Sequence, residues 1–210
     1  MFKLGLVLLV ACVICTQAKP ASKTASTLCR APNGITSPCY QLIRKTAKYE
    51  ERKYVSSLWA STSEQVAVGT KISGKISRSC YMRLRGYLSS HNVTMGVPVL
   101  YTIKAIPGGK VDFTMSFFLP NNGPNFQPPA PHDKRVRLEN KPSMNVYVKV
   151  EKNLNYEHRF SKTYAQLLSG YLKADGLAGK YTTPDIMFMA AGYDAPWTAK
   201  RTNEFWLLKA

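Results

Sequence analysis

An α+β fold, antiparallel strands combined with two long helices, is what this 210-residue chain predicts, on three observations. Residues 79–91 and 156–174 repeat apolar side chains at helical spacing. Apolar runs of strand length, bounded by turn residues, recur around both stretches. One of those boundaries, Pro107-Gly108-Gly109, is short enough to close a hairpin, so neighbouring strands are antiparallel.

The first eighteen residues stand apart from that pattern. Lys3 supplies a positive start, residues 4–15 form an apolar run, and Thr16-Gln-Ala18 places small residues at the cleavage-determining positions. About a dozen apolar residues are too few to span a bilayer, so residues 1–18 read as a cleaved signal peptide and the protein as secreted, extracellular. Cys12 and Cys15 leave with it, and Cys29, Cys39 and Cys80 remain.

Residues 19–48 read as an N-terminal extension. Cys29 and Cys39 bracket Pro32-Asn33-Gly34, a turn-rich loop suited to a disulfide in an oxidising compartment. Cys80 is then odd: a buried thiol, a thiolate ligand or half of an intermolecular bridge, with the buried thiol preferred. Asn92-Val93-Thr94 is a glycosylation sequon in a lumenal chain, with Asn92 as the acceptor.

A globular pattern starts at Tyr49 and runs to residue 210. Residues 49–54 and 57–62 read as a strand pair or one bent strand, and a basic loop at 71–78 leads into the first helix, 79–91. Cys80, Leu84, Tyr87, Leu88 and His91 share one face of that helix, while Arg78, Met82, Arg85 and Ser89 share another. A hairpin of 97–106 and 111–119 follows. Residues 121–131 are too rich in proline and asparagine to join a ladder. Strands at 135–139 and 144–151 precede the second helix, whose apolar stripe is Phe160, Tyr164, Leu167, Leu168, Tyr171 and Leu172. Asp175-Gly176 ends it, with glycine at the left-handed C′ position. The last strands lie at 186–191 and 203–208. Each half therefore runs strand, helix, strand, strand, a pseudo-twofold repeat in architecture rather than in identity.

Charge narrows the partners. The formal balance is +17, and losing Lys3 lowers it by one. Such a surface favours anions: carboxylates, acidic lipid, anionic glycans or nucleic acid. Enzyme signatures are missing from the sequence. There is no Gly-x-Ser-x-Gly elbow and no His-Glu-x-x-His motif, and Gly176-Leu-Ala-Gly179-Lys180 lacks the first glycine and the Ser/Thr of a phosphate loop. His91, His132 and His158 are not paired at ligand spacing, so no metal site is expected.

Three motifs point further. Tyr49-Glu-Glu-Arg52, Pro128-Pro129-Ala-Pro131 and the C-terminal pair Met189-Ala-Ala-Gly192-Tyr193-Asp194 and Arg201-Thr-Asn203-Glu204-Phe-Trp206 stand in the order seen in the SOUL/heme-binding protein family, which the chain resembles over residues 49–209. The resemblance implies a distorted antiparallel β-barrel with two helices packed against it, residues 49–210 as the domain, and binding of heme or another tetrapyrrole without catalysis. It also implies a groove between the first helix and the loop joining the last two strands. Arg78, Met82 and Arg85 on the helix, with Trp197, Lys200 and Arg201 on the loop, are then the tetrapyrrole-binding candidates. Arginines suit propionates because they bind carboxylates bidentately, and a thioether suits a flat apolar ring. From pattern alone the same stripe is equally a solvated basic face. If a histidine ligates the iron, His132 is the candidate, since it follows a loop long enough to reach over a groove.

The sequence departs from the resembled pattern where Met-Thr-x-Pro-Val is replaced by Met95-Gly96-Val97-Pro98-Val99. The expected function is a secreted, non-enzymatic tetrapyrrole-binding protein. The alternative is a cationic extracellular protein that binds polyanions such as glycans, or an anionic membrane surface, with no specific nucleic-acid target.

Overall fold

In the computed structural model, residues 28–31, 33–72, 74–120, 126–195, 198–199 and 201–210 are described. The signal peptide expected at 1–18, and Trp197 and Lys200 of the expected site, lie outside them. Among the described residues no helix is long and apolar enough to cross a membrane.

A two-stranded hairpin opens the described chain: β1 (Leu28–Arg30) pairs antiparallel with β2 (Thr36–Pro38), and the Cys29–Cys39 disulfide closes it. Next come β3 (Tyr40–Lys45), β4 (Glu50–Tyr54), β5 (Ser57–Ala67) and α1 (Gly74–Ser90). The hairpin β6 (Val99–Ile106) and β7 (Lys110–Phe118) turns at Pro107-Gly108-Gly109, where Gly108 and Gly109 have φ of 80° and 65°. After β8 (Arg137–Lys141) and β9 (Met144–Leu154), a 3-10 turn (Tyr156–Phe160) leads into α2 (Lys162–Ala174). β10 (Met187–Gly192) and β11 (Arg201–Leu208) complete the chain order.

Nine strands, β3 to β11, form one antiparallel sheet in the order β3-β4-β9-β11-β10-β6-β7-β5-β8. The repeat expected from the sequence is visible in that order. The units β5-α1-β6-β7 and β9-α2-β10-β11 each lay three strands in the sheet, and they meet at the β6–β10 pair, where Tyr101 faces Ala190. Their first strands each pair outward with one more strand, β8 beside β5 and β4 beside β9.

Strand alternation gives the sheet two apolar faces. On one, Tyr54, Trp59, Leu100, Phe118, Val146, Val148, Met189 and Trp206 form a single cluster although they come from seven strands. The cluster runs across that face from β4 near one edge to β5 near the other, on the side toward which the sheet curls. On the other face the helices lie side by side. α1 buries Cys80, Leu84, Tyr87 and Leu88 against Phe113, Met115 and Phe117 of β7, and α2 buries Ala165, Leu168 and Leu172 against Tyr147, Phe188 and Leu207.

The details differ from the sequence reading in three places. α1 starts at Gly74, five residues early, so Arg78 stands on the helix and not in a loop before it. The second helix breaks at Ser161, and its buried face is turned toward Ala165 and Ser169, leaving Leu167 exposed. Residues 40–45, assigned to the extension, instead pair with β4 as an edge strand of the main sheet. Short edge strands with exposed faces carry little apolar periodicity, which is why β3 gave no signal. Cys80 is a fully buried free thiol, with burial and then Asp112 pushing it up to about 11. At the end of α2, Gly176 has φ of 73°, and Leu177 N–H bonds Leu172 O at 2.9 Å, closing the helix as a Schellman motif.

Candidate functional site

The cross-strand row Val99–Gly192–Asn203 sits at one end of the sheet, where β6, β10 and β11 run side by side. On the helix face above it lies a cavity of about 930 Å³, within the roughly 300–1,000 Å³ usual for small-ligand sites. One wall is the first three turns of α1, with Ser77, Arg78, Tyr81, Met82 and Arg85. The floor is Val99, Tyr101, Met115, Gly192 and Asn203, and the far wall is Tyr193, Asp194, Ala195 and Arg201. Ile35, at the tip of the disulfide hairpin, and Arg159 from the 3-10 turn close the ends.

Expectation and geometry meet at four residues: Arg78, Met82, Arg85 and Arg201 all line this cavity. The first three are exposed at its mouth, whereas Arg201 is buried. Its Nε donates to Thr198 O at 2.9 Å and its Nη2 to Ala195 O at 3.1 Å, so Arg201 braces the loop between β10 and β11. His132 lies elsewhere. Its ring stacks on His91 at 4.8 Å beside the C-terminal end of α1, where Tyr87 Oη also donates to Pro129 O at 3.0 Å. No histidine or cysteine lines the cavity among the described residues, although the thioethers of Met82, Met95 and Met115 do. Nor do the described residues gather three metal-ligating side chains anywhere. Asn92 is exposed just past α1, with φ of 52°.

Two lining residues were not foreseen. Arg159 is 4% exposed; its Nη2 donates to Ser77 Oγ at 2.9 Å and its guanidinium lies 4.2 Å from the Phe160 ring centroid. A lone arginine in a first helical turn reads as solvated, and only the close approach of the 3-10 turn to α1 buries it. Asn203 is 3% exposed, and its Nδ2 is buried without a hydrogen-bond partner. Nothing in a strand pattern marks an inward asparagine as unpartnered. Among the described lining residues the charges are Lys75, Arg78, Arg85, Arg159 and Arg201 against Asp194 alone, so the cavity favours an anion.

The opposite face of the same strand is closed differently. Glu204, one residue on, points toward the curled side of the sheet. It accepts from Arg52 Nη1 at 3.0 and 3.1 Å, from Tyr193 Oη at 2.9 Å and from Trp206 Nε1 at 2.9 Å. Arg52 is also held by Glu50 at 2.6 Å, by Tyr54 Oη at 3.0 Å and by the Tyr40 ring at 4.4 Å. Burial opposes its charge, but Glu204 and the phenols around it keep the guanidinium firmly protonated. Burial first, and then the Glu204 carboxylate, push the Tyr193 phenol well above its ordinary value. Arg52 and Glu204, members of sequence motifs 152 residues apart, therefore form one buried ion pair. A second cavity of about 750 Å³ lies on this side, beneath the disulfide hairpin.

Gly96 explains how that hairpin fits. A Cβ built on it would meet Thr36 O at 2.4 Å and Phe118 Cδ1 at 2.6 Å. Its N–H bonds Phe118 O at 2.8 Å, and the next N–H, of Val97, bonds Thr36 O at 2.9 Å. The Val97–Pro98 peptide bond is cis. The hairpin tip is tied in turn to the far wall, where Asn33 Nδ2 donates to Tyr193 O at 2.9 Å.

The family model described as SOUL heme-binding protein matches residues 35–208. The chain belongs to the SOUL heme-binding protein family. It is similar to human heme-binding protein 2, with 25% identity over 170 residues that cover 77% of this chain and 78% of that protein. Among solved structures it resembles SAV2435 bound to tetraphenylphosphonium, with a TM-score of 0.51, 15% identity, and coverage of 78% of this chain and 94% of the other. It also resembles the protein of the EcmrR–DNA complex, with a TM-score of 0.53, 12% identity, and coverage of 81% and 57%. At such identities the solved structures establish the α+β fold.

Proposed function

We propose that this SOUL family member is a secreted, non-enzymatic carrier of a tetrapyrrole. The ring would lie in the cavity between α1 and the β10–β11 loop, with Arg78 and Arg85 at its acid edge. Met82 would rest on its face, Arg201 would brace the loop side, and Trp197 and Lys200 are the further ligand-binding candidates of that loop's sequence. One observation carries this reading: in a family of heme-binding proteins, the cavity joins an apolar, methionine-bearing interior to cations at the mouth. The fit to heme rests on the ring and the acids, since no histidine or cysteine among the described residues lines the cavity. A disulfide-closed hairpin supports an oxidising compartment, and an exposed Asn92 is a reachable glycosylation acceptor.

The test is a titration of the mature chain with hemin and with protoporphyrin IX at two salt concentrations. Both should bind one per chain with similar affinity, and salt should weaken them only modestly. Arg78→Ala should cost about 1–3 kcal/mol of binding, the usual worth of a charge-assisted hydrogen bond. If neither tetrapyrrole binds below tens of micromolar while heparin binds tightly and loses affinity steeply with salt, the excess positive charge serves polyanion or membrane binding instead.

A further inference from the structure

The cavity has a polar group at each end, and only the mouth is accounted for by the acid edge of a porphyrin. At the floor, the Asn203 carboxamide is 3% exposed and its Nδ2 donates to nothing. A buried amide donor left undonated is uncommon in a folded protein and calls for an explanation. Its neighbour across the strand pair is Gly192, where a Cβ would stand 3.5 Å from Asn203 Oδ1 and 3.6 Å from Tyr101 Cε2. A side chain at position 192 would therefore begin in contact with the amide and fill the floor. Glycine leaves that space to an occupant, and a turn about the Asn203 χ2 exchanges which polar atom faces it.

An occupant that satisfies both ends needs acids toward α1 and an amide-like group on its opposite edge. Closed protoporphyrin IX, the ring of heme, does not have this. Its edge opposite the propionates carries only hydrocarbon groups, which would leave the carboxamide as undonated as before. Opening the macrocycle at the bridge opposite the propionates creates two terminal lactams on that edge. A lactam offers one C=O acceptor beside one N–H donor, the complement of an asparagine side chain. We propose that the cavity selects an open-chain, lactam-bearing tetrapyrrole over the closed ring, with Asn203 as the residue that reads the lactam. This rests on the tetrapyrrole reading above and narrows it.

The experiment titrates biliverdin and protoporphyrin IX into the wild-type mature protein, Asn203→Leu and Arg78→Ala, following absorption and circular dichroism. Wild-type protein should bind biliverdin about 10-fold more tightly than protoporphyrin IX, because only biliverdin pairs the buried donor. Asn203→Leu should erase that preference by weakening biliverdin alone. Arg78→Ala should weaken both ligands alike. Bound biliverdin should also show an induced circular dichroism band that shrinks in Asn203→Leu. Asn203→Ala serves if the leucine variant does not fold, and the wild-type preference needs no variant at all. Equal wild-type affinities, or an Asn203 substitution that weakens both ligands equally, overturns the lactam assignment while leaving tetrapyrrole binding in place. Failure of both ligands to bind overturns the tetrapyrrole reading itself.

Discussion

Asn203 and Glu204 are neighbours on β11, yet they face opposite sides of the sheet and end in opposite conditions. Glu204 accepts from Arg52, Tyr193 and Trp206, and Arg52 is enclosed by Glu50, Tyr54 and Tyr40. Every partner there is supplied by the chain. Asn203 has a buried donor without one, beside a glycine and under a cavity of about 930 Å³. A self-satisfied polar cluster secures a fold, whereas an unsatisfied one holds a place for something else. The same strand does both because side chains alternate across it.

The sharpest way to break this contrast is to make one substitution at both positions. Glu204→Leu should cost about 3–5 kcal/mol in chemical denaturation, because it leaves the buried Arg52 charge with Glu50 alone and removes the acceptor of Tyr193 and Trp206. A loss below about 1 kcal/mol would show that the cluster does not secure the fold. A middle-sized effect comes from the hairpin that borders both cavities. Gly96→Ala should destabilise by about 1–3 kcal/mol, since Thr36 O and Phe118 occupy the space a Cβ needs. That penalty should shrink in a Cys29→Ser, Cys39→Ser chain, where the hairpin can lift away; an unchanged penalty would place the strain at Phe118 alone. The smallest effect is expected at Asn203. Asn203→Leu should leave the midpoint within about 1 kcal/mol of wild type or raise it, because the lost amide had one unmade bond and the leucine is apolar. A loss as large as that of Glu204→Leu would mean that Asn203 is structural.

Much of this was legible in the sequence. The apolar stripe of α1, the Pro107-Gly108-Gly109 hairpin and the strand-helix-strand-strand halves rest on local periodicity and turn chemistry, which a sequence displays directly. Arg78, Met82 and Arg85 were legible as a second stripe on the same helix, at the spacing that brings them to one wall. Other features were not, for identifiable reasons. Arg159 is buried by the 3-10 turn's approach to α1, a tertiary event with no local mark. The Arg52–Glu204 pair joins motifs that were recognised separately, but only strand order brings them together. The glycine in Met95-Gly96-Val97-Pro98-Val99 was visible as a departure, whereas its cause, the Thr36 carbonyl, belongs to a segment set apart as an extension. His132 reads as a loop residue with reach; in the structure it is committed to the His91 ring.

The place of β11 in the sheet has a consequence for how the protein is made. β11 is the last of the described strands in chain order, yet it lies between β9 and β10 near the middle of the sheet and contributes Trp206, Phe205 and Leu207 to three different clusters. A polypeptide emerging from the ribosome therefore has β9 and β10 without the strand that separates them until residue 208 is clear of the exit tunnel. Before then the first half can collapse and pair with β10 through β6, but β9 and β10 cannot be joined through β11, and their facing edges stay open to other chains. Assembly must wait until β11 has emerged. A nascent chain stalled short of β11 is the form most exposed to aggregation.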